Sequence, residues 1–259
     1  MNQISEVFVI TGCSRGVGAA LFQLAQQPGR ALLGMARQVS AELKTIPTSA
    51  DASVEAWTVD LSDAAGIAKR MRDWLLRDRH VTALRWVLIN NAALLEAPGD
   101  LATQTSEQIS AVLRVGVEAP MLLASAMLSA RDVLSSQGCA PRVQIMNVSS
   151  GLGRRAMAGT ATYCAAKAGL DHFSRALALE EATKPEGARV VSIAPGVIDT
   201  DMQQQLRSGS PDMFVAQQDF ASLHASGRLA TSEQTATQLL EWLQRADFGT
   251  EVVCDIRTQ

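Results

Sequence analysis

The sequence predicts an α/β fold in which a doubly wound, mostly parallel sheet of seven strands carries helices on both faces. Short runs rich in Val, Ile and Leu alternate with longer segments that have helical spacing. The short runs are apolar almost throughout, which is typical of strands buried on both faces. A glycine-rich turn also joins the first predicted strand directly to a helical segment. Together these features predict a parallel sheet between two layers of helices.

The predicted strands are the apolar runs at 6–11, 31–35, 54–59, 85–90, 142–147, 189–193 and 251–255. Helices are predicted between them at 16–27, 62–79, 106–136 and 162–182. Ser62 is the expected N-cap of the second helix, and the third is expected to be interrupted or bent around Gly116 and Pro120. Residues 201–228 are the least regular region and are predicted to form a mobile flap.

Length and composition predict one domain over residues 1–259. Of the 259 residues, 47% are hydrophobic and 19% are charged, a globular balance with enough chain to bury a sizeable core. No linker, repeat or low-complexity segment divides the sequence. The formal net charge of -3 provides no broad attraction for nucleic acid or for an anionic membrane. We therefore expect neither of these partners.

The start of the chain, MNQISEVFVITG, lacks the basic stretch and cleavage site of a signal peptide. No window has the uninterrupted apolar length of a membrane span, because the stretch 119–128 contains Pro120 and Ser125. The protein is therefore expected to be cytoplasmic. Its cysteines are too scattered for a zinc site or a disulfide framework, so reduced thiols and no metal site are expected. They are Cys13, Cys139, Cys164 and Cys254.

The glycine-rich turn at residues 11–18 has the arrangement of a phosphate-binding loop. Gly12 permits a tight turn, Gly16 lets the backbone approach a pyrophosphate, and Gly18 lets the following helix pack against the sheet. The amino terminus of that helix then faces the anion. Glycines also occur in flexible turns, but their position between a strand and a helix favours nucleotide binding.

The spacing T-G-x-x-x-G-x-G resembles that of the short-chain dehydrogenase/reductase family. Further family motifs follow in the expected order and cover almost the whole chain, and the resemblance implies a single Rossmann-type domain. Segments 149–167 and 250–255 are most similar to the sepiapterin reductase and benzil reductase branch. The motifs are Asp60-Leu61, Asn90-Asn91-Ala92, Asn147-Val148-Ser149-Ser150, Tyr163-x-x-x-Lys167, and Pro195-Gly196 followed by Thr200.

The resemblance also implies which residues bind a nicotinamide dinucleotide. They come from the glycine turn, from the ends of several strands and from the helix of the tyrosine motif. The implied contacts are Asp60 and Leu61 at the adenine, Asn90 and Asn91 at the ribose side, Ile198 and Thr200 at the nicotinamide end, and Gly12, Ser14, Arg15, Gly16, Val17, Gly18, Tyr163, Lys167, Pro195 and Gly196 elsewhere.

Charge at the end of the second strand predicts NADPH rather than NAD as the cofactor. An acid there would bind the free 2′-hydroxyl of NAD and repel a 2′-phosphate, and no acid is present. Arg37 instead supplies a cation, and Arg15 in the glycine turn is placed to approach the same phosphate. Taken singly, either arginine would be an ordinary solvated surface residue.

Tyr163 and Lys167 stand four residues apart on a predicted helix, so their side chains share one face. A free tyrosine has a pKa of about 10, and a nearby ammonium is expected to lower it. During reduction of a carbonyl, Tyr163 would protonate the developing alkoxide and a serine would donate a hydrogen bond to it. Ser149 and Ser150 both fit by position, and the family's usual spacing to the tyrosine selects Ser150.

The chain departs from the family at two positions. The family commonly has an asparagine that helps hold a water linked to the lysine, and Gly116 stands at that place. The glycine removes a hydrogen-bonding side chain and leaves a space that a water could fill. Gly116→Asn is therefore expected to raise turnover or leave it unchanged. Ala93 replaces the glycine that usually follows Asn-Asn-Ala in the family, a change that requires only slightly different backbone packing.

The predicted substrate is a small carbonyl compound, and the branch resemblance implies an activated one such as a vicinal diketone. Apolar flap residues would close over such a substrate or, equally well, pack as a small helix pair. These flap residues are Met202, Leu206, Met213, Phe214 and Phe220. The residues near the catalytic serine that would also shape the substrate pocket are Leu152, Arg154, Arg155 and Met157.

Two other functions remain open. The chain would also fit an alcohol or hydroxysteroid dehydrogenase that works oxidatively, or a non-catalytic NADPH-binding regulator. The intact Ser150, Tyr163 and Lys167 argue against the regulator. The resemblance further implies a homodimer or homotetramer formed through the long middle helix and the tyrosine helix.

Overall fold

Seven strands build one sheet in the computed structural model of the chain, which describes residues 4–40, 52–209 and 214–258. The strands are β1 (Glu6–Thr11), β2 (Arg30–Ala36), β3 (Ser53–Thr58), β4 (Arg85–Asn90), β5 (Arg142–Val148), β6 (Arg189–Ala194) and β7 (Val253–Asp255). All neighbouring strands are parallel, in the order β3-β2-β1-β4-β5-β6-β7. The predicted α/β fold is therefore confirmed, and β7 is shorter at its start than predicted.

Helices connect the strands on both faces of the sheet. They are α1 (Gly16–Leu24), α2 (Ala64–Leu75), α3 (Ser106–Leu113), α4 (Ala119–Ser136), α5 (Ala161–Ala182), α6 (Asp201–Arg207), α7 (Gln217–Ala225) and α8 (Ser232–Trp242). A π-helical segment, Arg114–Glu118, joins α3 to α4. Short 3-10 turns at Leu61–Asp63 and Gly151–Gly153 follow β3 and β5.

The helix after β3 begins later than predicted. The side chain of Asp60 accepts a hydrogen bond from the backbone N–H of Ser62 at 2.9 Å and so caps the 3-10 turn. The α-helix α2 then starts at Ala64. Ser62 lies inside the turn and not at its start, so the predicted N-cap is wrong, because the preceding aspartate is an equally good capping residue.

Residues 106–136 are helical without interruption, and the predicted bend is a local change of helix type. The π segment surrounds Gly116, while Pro120 falls in the first turn of α4, where a missing N–H is tolerated. Contrary to expectation, the stretch matches a membrane span by length and composition, with a mean hydropathy of 1.6. However, 56% of its most apolar window is buried inside the fold. Its apolar side chains therefore serve the core.

Each face of the sheet has its own hydrophobic core, because alternate residues of a strand point to opposite faces. Val7 and Val9 pack with α2 and α4 on one face, and Phe8 and Ile10 pack with α1 and α8 on the other. Burying one such side chain stabilises the fold by about 1.5–3 kcal/mol. Both helix layers are thereby fixed to the sheet.

The two edges of the sheet differ in chemistry. At the amino edge, Glu6 forms ion pairs with Arg30 at 2.7 Å and with Arg85 at 2.8 Å, which join β1, β2 and β4. At the carboxyl edge, the strands run into the glycine turn and polar loops. β2 and β3 lie on one side of β1, whereas β4 and the later strands lie on the other, so the direction in which strands are added to the sheet reverses at β1. Ligands of open α/β sheets bind at the carboxyl ends of the strands beside such a switch point.

The predicted flap contains α6 and α7, which pack against each other. The buried ring of Phe214 stacks on Phe220 with centroids 5.9 Å apart, and Leu206 is buried as well. The amide of Gln203 donates to the carbonyl oxygen of Phe220 at 3.0 Å. The structure favours a packed helix pair for Leu206, Phe214 and Phe220, whereas Met202 lines the cavity at the carboxyl edge of the sheet. Met213 lies outside the described residues. Mobility of this region stays a prediction.

Candidate active site

A cavity of about 830 Å³ opens at the carboxyl edge of the sheet, within the roughly 300–1,000 Å³ typical of cofactor and small-molecule sites. It extends from the glycine turn past the ends of β2, β3 and β5 to α5 and the start of α6. Predicted residues that line it are Gly12, Ser14, Arg15, Gly16, Val17, Gly18, Arg37, Asp60, Leu61, Asn91, Tyr163, Lys167, Pro195, Ile198 and Thr200. Asn90, Ser150 and Gly196 are not among its lining residues.

The glycine turn is shaped to receive an anion. Gly12 (φ 72) and Gly16 (φ 54) adopt the left-handed conformation that favours glycine. A Cβ on Gly18 would collide with the carbonyl oxygen of Gly12, so the glycine lets α1 begin directly against the turn. A Cβ on Gly16 would meet nothing nearer than Thr200 at 3.5 Å across the cavity. Backbone N–H groups at the start of α1 are therefore accessible, and the turn fits a diphosphate.

The two asparagines after β4 have different surroundings. Asn91 lines the cavity, and its amide donates to the carbonyl oxygen of Thr11 at 3.0 Å, which ties the end of β4 to the glycine turn. Asn90 is buried, and its amide donates to the side-chain oxygen of Asn147 on β5 at 2.8 Å. The side chain of Asn90 thus connects neighbouring strands and does not line the cavity, and its predicted contact at the ribose side stays a prediction.

The two arginines predicted to bind a 2′-phosphate lie at the rim of the cavity. Arg37 is exposed just after β2. The pKa of the Asp60 carboxyl is lowered mainly by hydrogen bonds from Ser62 and to a smaller extent by the charge of Arg37. Arg15 forms an exposed ion pair with Asp201 at 2.8 Å. Because such a pair contributes only about 0–1 kcal/mol, a phosphate can compete with Asp201 for Arg15.

Tyr163 and Lys167 lie on one face of α5, and both are buried. Tyr163 is 9% exposed, and burial raises the pKa of its phenol to about 12. The ammonium of Lys167 lies 5.7 Å from the centre of the tyrosine ring and donates to the carbonyl oxygen of Val148 at 2.7 Å. Burial lowers the pKa of Lys167 to about 8. The expected lowering of the phenol pKa is therefore wrong for the protein alone, because lost solvation outweighs the hydrogen bond with Ser150, which acts to lower it.

Ser149 and Ser150 follow β5, and the structure distinguishes between them. Ser150 accepts a hydrogen bond from the backbone N–H of Leu152 at 3.2 Å, and its hydroxyl is hydrogen-bonded to Tyr163. The buried hydroxyl of Ser149 has no hydrogen-bond partner in the described part of the chain. The geometry favours Ser150 as the neighbour of the phenol.

A buried polar cluster beside these residues was not predicted. Asp171, one turn after Lys167, lies 3.2 Å from Arg154 and accepts a hydrogen bond from Ser192 at 2.6 Å. The signal was present in the sequence, because Asp171 continues the spacing of four residues that places Tyr163 and Lys167 on one helical face.

Two of the cysteines lie close to these residues, since Cys13 belongs to the glycine turn and Cys164 directly follows Tyr163. All four thiols are free, and Cys13 and Cys254 are buried. Burial raises the pKa of Cys13 to about 11 and that of Cys254 to about 12, so both thiols are protonated and poorly nucleophilic at neutral pH. Among the described residues, no cluster of His, Cys, Asp and Glu is able to hold a metal ion.

Gly116 does not leave the space that the sequence suggested. A Cβ at this position would lie 2.9 Å from the Cβ of Ala166 on α5. Packed interiors do not tolerate such an approach, and Ala166 has no side-chain rotation that would relieve it. The glycine therefore lets the π segment pack directly against the helix of Tyr163 and Lys167.

We now expect Gly116→Asn to lower both stability and turnover, the opposite of the sequence-based expectation. Overpacking a filled interior costs about 1–3 kcal/mol, and any displacement of α5 moves the catalytic residues. Thermal unfolding and kcat measure the two effects. Gly66→Asn in α2 is the matched control, since no described residue lies within 4 Å of the added Cβ, and it should change neither. Raised turnover in Gly116→Asn would contradict this prediction.

Comparisons with known proteins agree with this geometry. A family model described as short chain dehydrogenase matches residues 6–211. Benzil reductase ((S)-benzoin forming) of Bacillus cereus is 26% identical over 242 residues, which cover 93% of this chain and 94% of that protein. Sepiapterin reductase of Mus musculus is 32% identical over 253 residues, which cover 93% of each. The resemblance to this branch is confirmed.

Solved structures show the same architecture. The crystal structure of KRED1-Pglu enzyme superposes with a TM-score of 0.76 at 25% identity, covering 95% of this chain and 99% of that one. A metagenomic short-chain oxidoreductase in complex with NADP superposes with a TM-score of 0.69 at 25% identity, covering 98% and 96%. With the sheet order, the glycine turn and the matched family model, these likenesses establish that the chain belongs to the short-chain dehydrogenase family.

Proposed function

We propose that this short-chain dehydrogenase is an NADPH-dependent carbonyl reductase that converts a ketone, diketone or aldehyde to an alcohol. The observation that carries the proposal is a buried Tyr163 at the cavity wall, hydrogen-bonded to Ser150 and one turn from Lys167. Two curated relatives are named as reductases, benzil reductase and sepiapterin reductase. These names support an activated carbonyl, such as a vicinal diketone, as the substrate.

The protonation state of the tyrosine favours reduction over alcohol oxidation. With a pKa of about 12, the phenol of Tyr163 is protonated throughout the neutral range and can give its proton to the developing alkoxide. Alcohol oxidation would begin from the phenolate, which burial disfavours. Ser150 donates a hydrogen bond to the same oxygen. A reduced nicotinamide, when bound, supplies the hydride.

The rim of the cavity supports NADPH as the preferred cofactor. The segment after β2 has Arg37 where an acid would select the free 2′-hydroxyl of NAD. Its guanidinium is exposed and available to an incoming phosphate. Arg15 lies on the glycine turn beside the same cavity, and its exchange from Asp201 to a phosphate costs little.

The proposal is tested by following the consumption of NADPH and of NADH with a panel of diketones, ketones and aldehydes. We expect turnover, fastest with an activated diketone and with NADPH. Tight binding of NADPH without turnover on any compound would support the non-catalytic regulator instead. Lack of affinity for either dinucleotide would contradict both functions.

Within the same assay, Arg37→Asp should raise the KM for NADPH by about 10- to 100-fold and affect NADH much less, because a charged hydrogen bond contributes roughly 1.5–3 kcal/mol. Arg142→Asp is the matched control, since Arg142 is exposed at the start of β5, on the opposite edge of the sheet. If Arg37→Asp raised the KM for NADPH and the KM for NADH equally, this arginine would not be the residue that binds the 2′-phosphate.

We also propose that the protein forms a homodimer or homotetramer through α4 and α5. Both helices are rich in alanine, which permits close packing. Each also exposes a large apolar side chain, Met121 on α4 and Leu179 on α5. Sedimentation of the purified protein measures the number of subunits.

A further inference from the structure

An ion pair between a partly exposed arginine and a buried aspartate connects the turn after β5 to the catalytic helix α5. Asp171 lies one turn after Lys167 and is only 2% exposed. Its carboxylate is 3.2 Å from Nε of Arg154, the residue that directly follows the 3-10 turn. It also accepts a hydrogen bond from the hydroxyl of Ser192 on β6 at 2.6 Å. A buried carboxylate with two such partners is firmly held.

The turn and the helix approach closely at this point because the turn ends in a glycine. A Cβ on Gly153 would lie 2.8 Å from Oδ2 of Asp171 and 2.9 Å from the carbonyl oxygen of Lys167. The guanidinium of Arg154 also donates to the backbone carbonyl of Ser192 at 3.4 Å. One carboxylate and one guanidinium therefore fix the turn, α5 and β6 to one another.

The same carboxylate acts on the charge of Lys167. Burial lowers the pKa of Lys167 to about 8, and the negative charge of Asp171 opposes that effect. Tyr163 faces the ammonium from the same helix. Other charged groups on the neighbouring elements are exposed or already paired: Glu107, Arg114, Glu118 and Arg155 are exposed, and Asp255 of β7 is held by Arg257 at 2.7 Å.

We propose that Asp171 is a positioning residue of the reductase: through Arg154 it holds the turn of Ser150 against α5, and its carboxylate places a negative charge on the helix one turn after Lys167. The inference rests on the proposed function wherever turnover is the readout. Its electrostatic part is measurable on the protein alone.

Asp171→Asn and Arg154→Met separate the effect on the charge of Lys167 from the effect on the position of the turn, because both loosen the turn but change the charge near Lys167 in opposite directions. Asp171→Asn removes the negative charge, so the pKa of Lys167 should fall below its native value. Arg154→Met leaves the carboxylate uncompensated, so the pKa of Lys167 should rise. The chain has four lysines, so NMR of lysine-labelled, cofactor-free protein resolves Lys167 during a pH titration.

Turnover should respond differently from the lysine titration. Either substitution loosens the turn of Ser150, so kcat should fall about tenfold or more in both variants while the KM for the carbonyl changes little. The alkaline limb of the kcat profile should move to lower pH in Asp171→Asn and to higher pH in Arg154→Met. Asp247→Asn, which breaks an exposed ion pair with Arg245, should change none of these quantities.

Thermal unfolding shows whether the variants are folded. If Asp171→Asn does not fold, Ser192→Ala removes one hydrogen bond and keeps both charges, and it should still lower kcat severalfold with the pKa of Lys167 unchanged. The inference would be overturned if Asp171→Asn changed neither kcat nor the titration of Lys167, or if Ser192→Ala left kcat unchanged. It would also be overturned if the pKa of Lys167 shifted in the same direction in Asp171→Asn and Arg154→Met. A native protein without turnover overturns the proposed function instead, and the lysine titration then still tests the electrostatic part.

Discussion

Tyr163→Phe is expected to lower kcat by roughly 100- to 10,000-fold. The substitution removes the phenol that is proposed to protonate the developing alkoxide and keeps the ring that fills the same buried space. Ser150 remains and can still donate a hydrogen bond, but its alcohol is a much weaker acid than a phenol and does not replace the lost proton donor. The affinity for the dinucleotide should stay nearly the same, because the glycine turn and the rim arginines are untouched.

Steady-state kinetics and dinucleotide titration of the folded variant measure these two effects. Thr162→Val is the matched control, because it deletes the neighbouring hydroxyl, which donates to the side chain of Gln104 at 2.6 Å, and should leave kcat unchanged. If Tyr163→Phe kept its turnover, the tyrosine would not be the proton donor of the reaction. An equal loss in Thr162→Val would show that the helix, rather than the phenol, was disturbed.

Glu181→Gln is expected to lower the free energy of unfolding by about 3–5 kcal/mol, since it leaves the buried Arg131 paired only with the exposed carboxylate of Asp132. Glu181 at the end of α5 is ion-paired with Arg131 of α4, and both side chains are almost fully buried. The carboxylate also accepts hydrogen bonds from Lys184 at 2.6 Å and from the backbone N–H of Ala188 at 2.8 Å. Denaturant unfolding at neutral pH measures the loss.

The effect should depend on pH with a defined sign. Burial acts to raise the pKa of Glu181, but hydrogen bonds from Arg131, Ala188 and Lys184 outweigh it and lower the pKa from its ordinary 4.5 to about 2. A lowered pKa means that the stabilisation is complete above pH 4.5 and disappears as the pH falls toward 2. Native protein and Glu181→Gln should therefore converge in stability at low pH.

Asp132→Asn provides the comparison for this ion pair. Asp132 also contacts Arg131, at 2.7 Å, but its side chain is exposed, so its loss should cost only about 0–1 kcal/mol. A loss in Glu181→Gln that is as small as in Asp132→Asn, or that does not change with pH, would contradict the assigned role of the buried pair.

The sheet and the glycine turn were predictable because the signals for them are local. Each strand is an apolar run, and the turn at 11–18 places its glycines between a strand and a helix. The start of α2 was less certain, since Asp60 and Ser62 are both good caps and their spacing does not decide between them. Residues 106–136 match a membrane span in length, contrary to expectation, because Pro120 lies in the first turn of α4, where a helix accepts proline without being interrupted.

Most of the residues that line the cavity could be named from the sequence, but the electrostatics of the site could not be predicted from it. Spacing places Tyr163 and Lys167 on one face, but the sign of the phenol pKa shift depends on how much of the ring is buried, which no local pattern reports. Likewise, a sequence shows that Gly116 lacks a side chain and cannot show that Ala166 occupies the place of the missing one. Both errors come from contacts between distant segments.

The cluster of Glu6 with Arg30 and Arg85 lies about a full strand length, roughly 20 Å, from the cavity at the other end of the same strands. Substitutions there should change the thermal stability of the protein and leave the cavity unchanged. Substitutions of exposed residues in the opposite loops should change the shape of the cavity and leave the amino edge of the sheet unchanged. The molecule can thus acquire a new substrate and a new working temperature through separate sets of mutations.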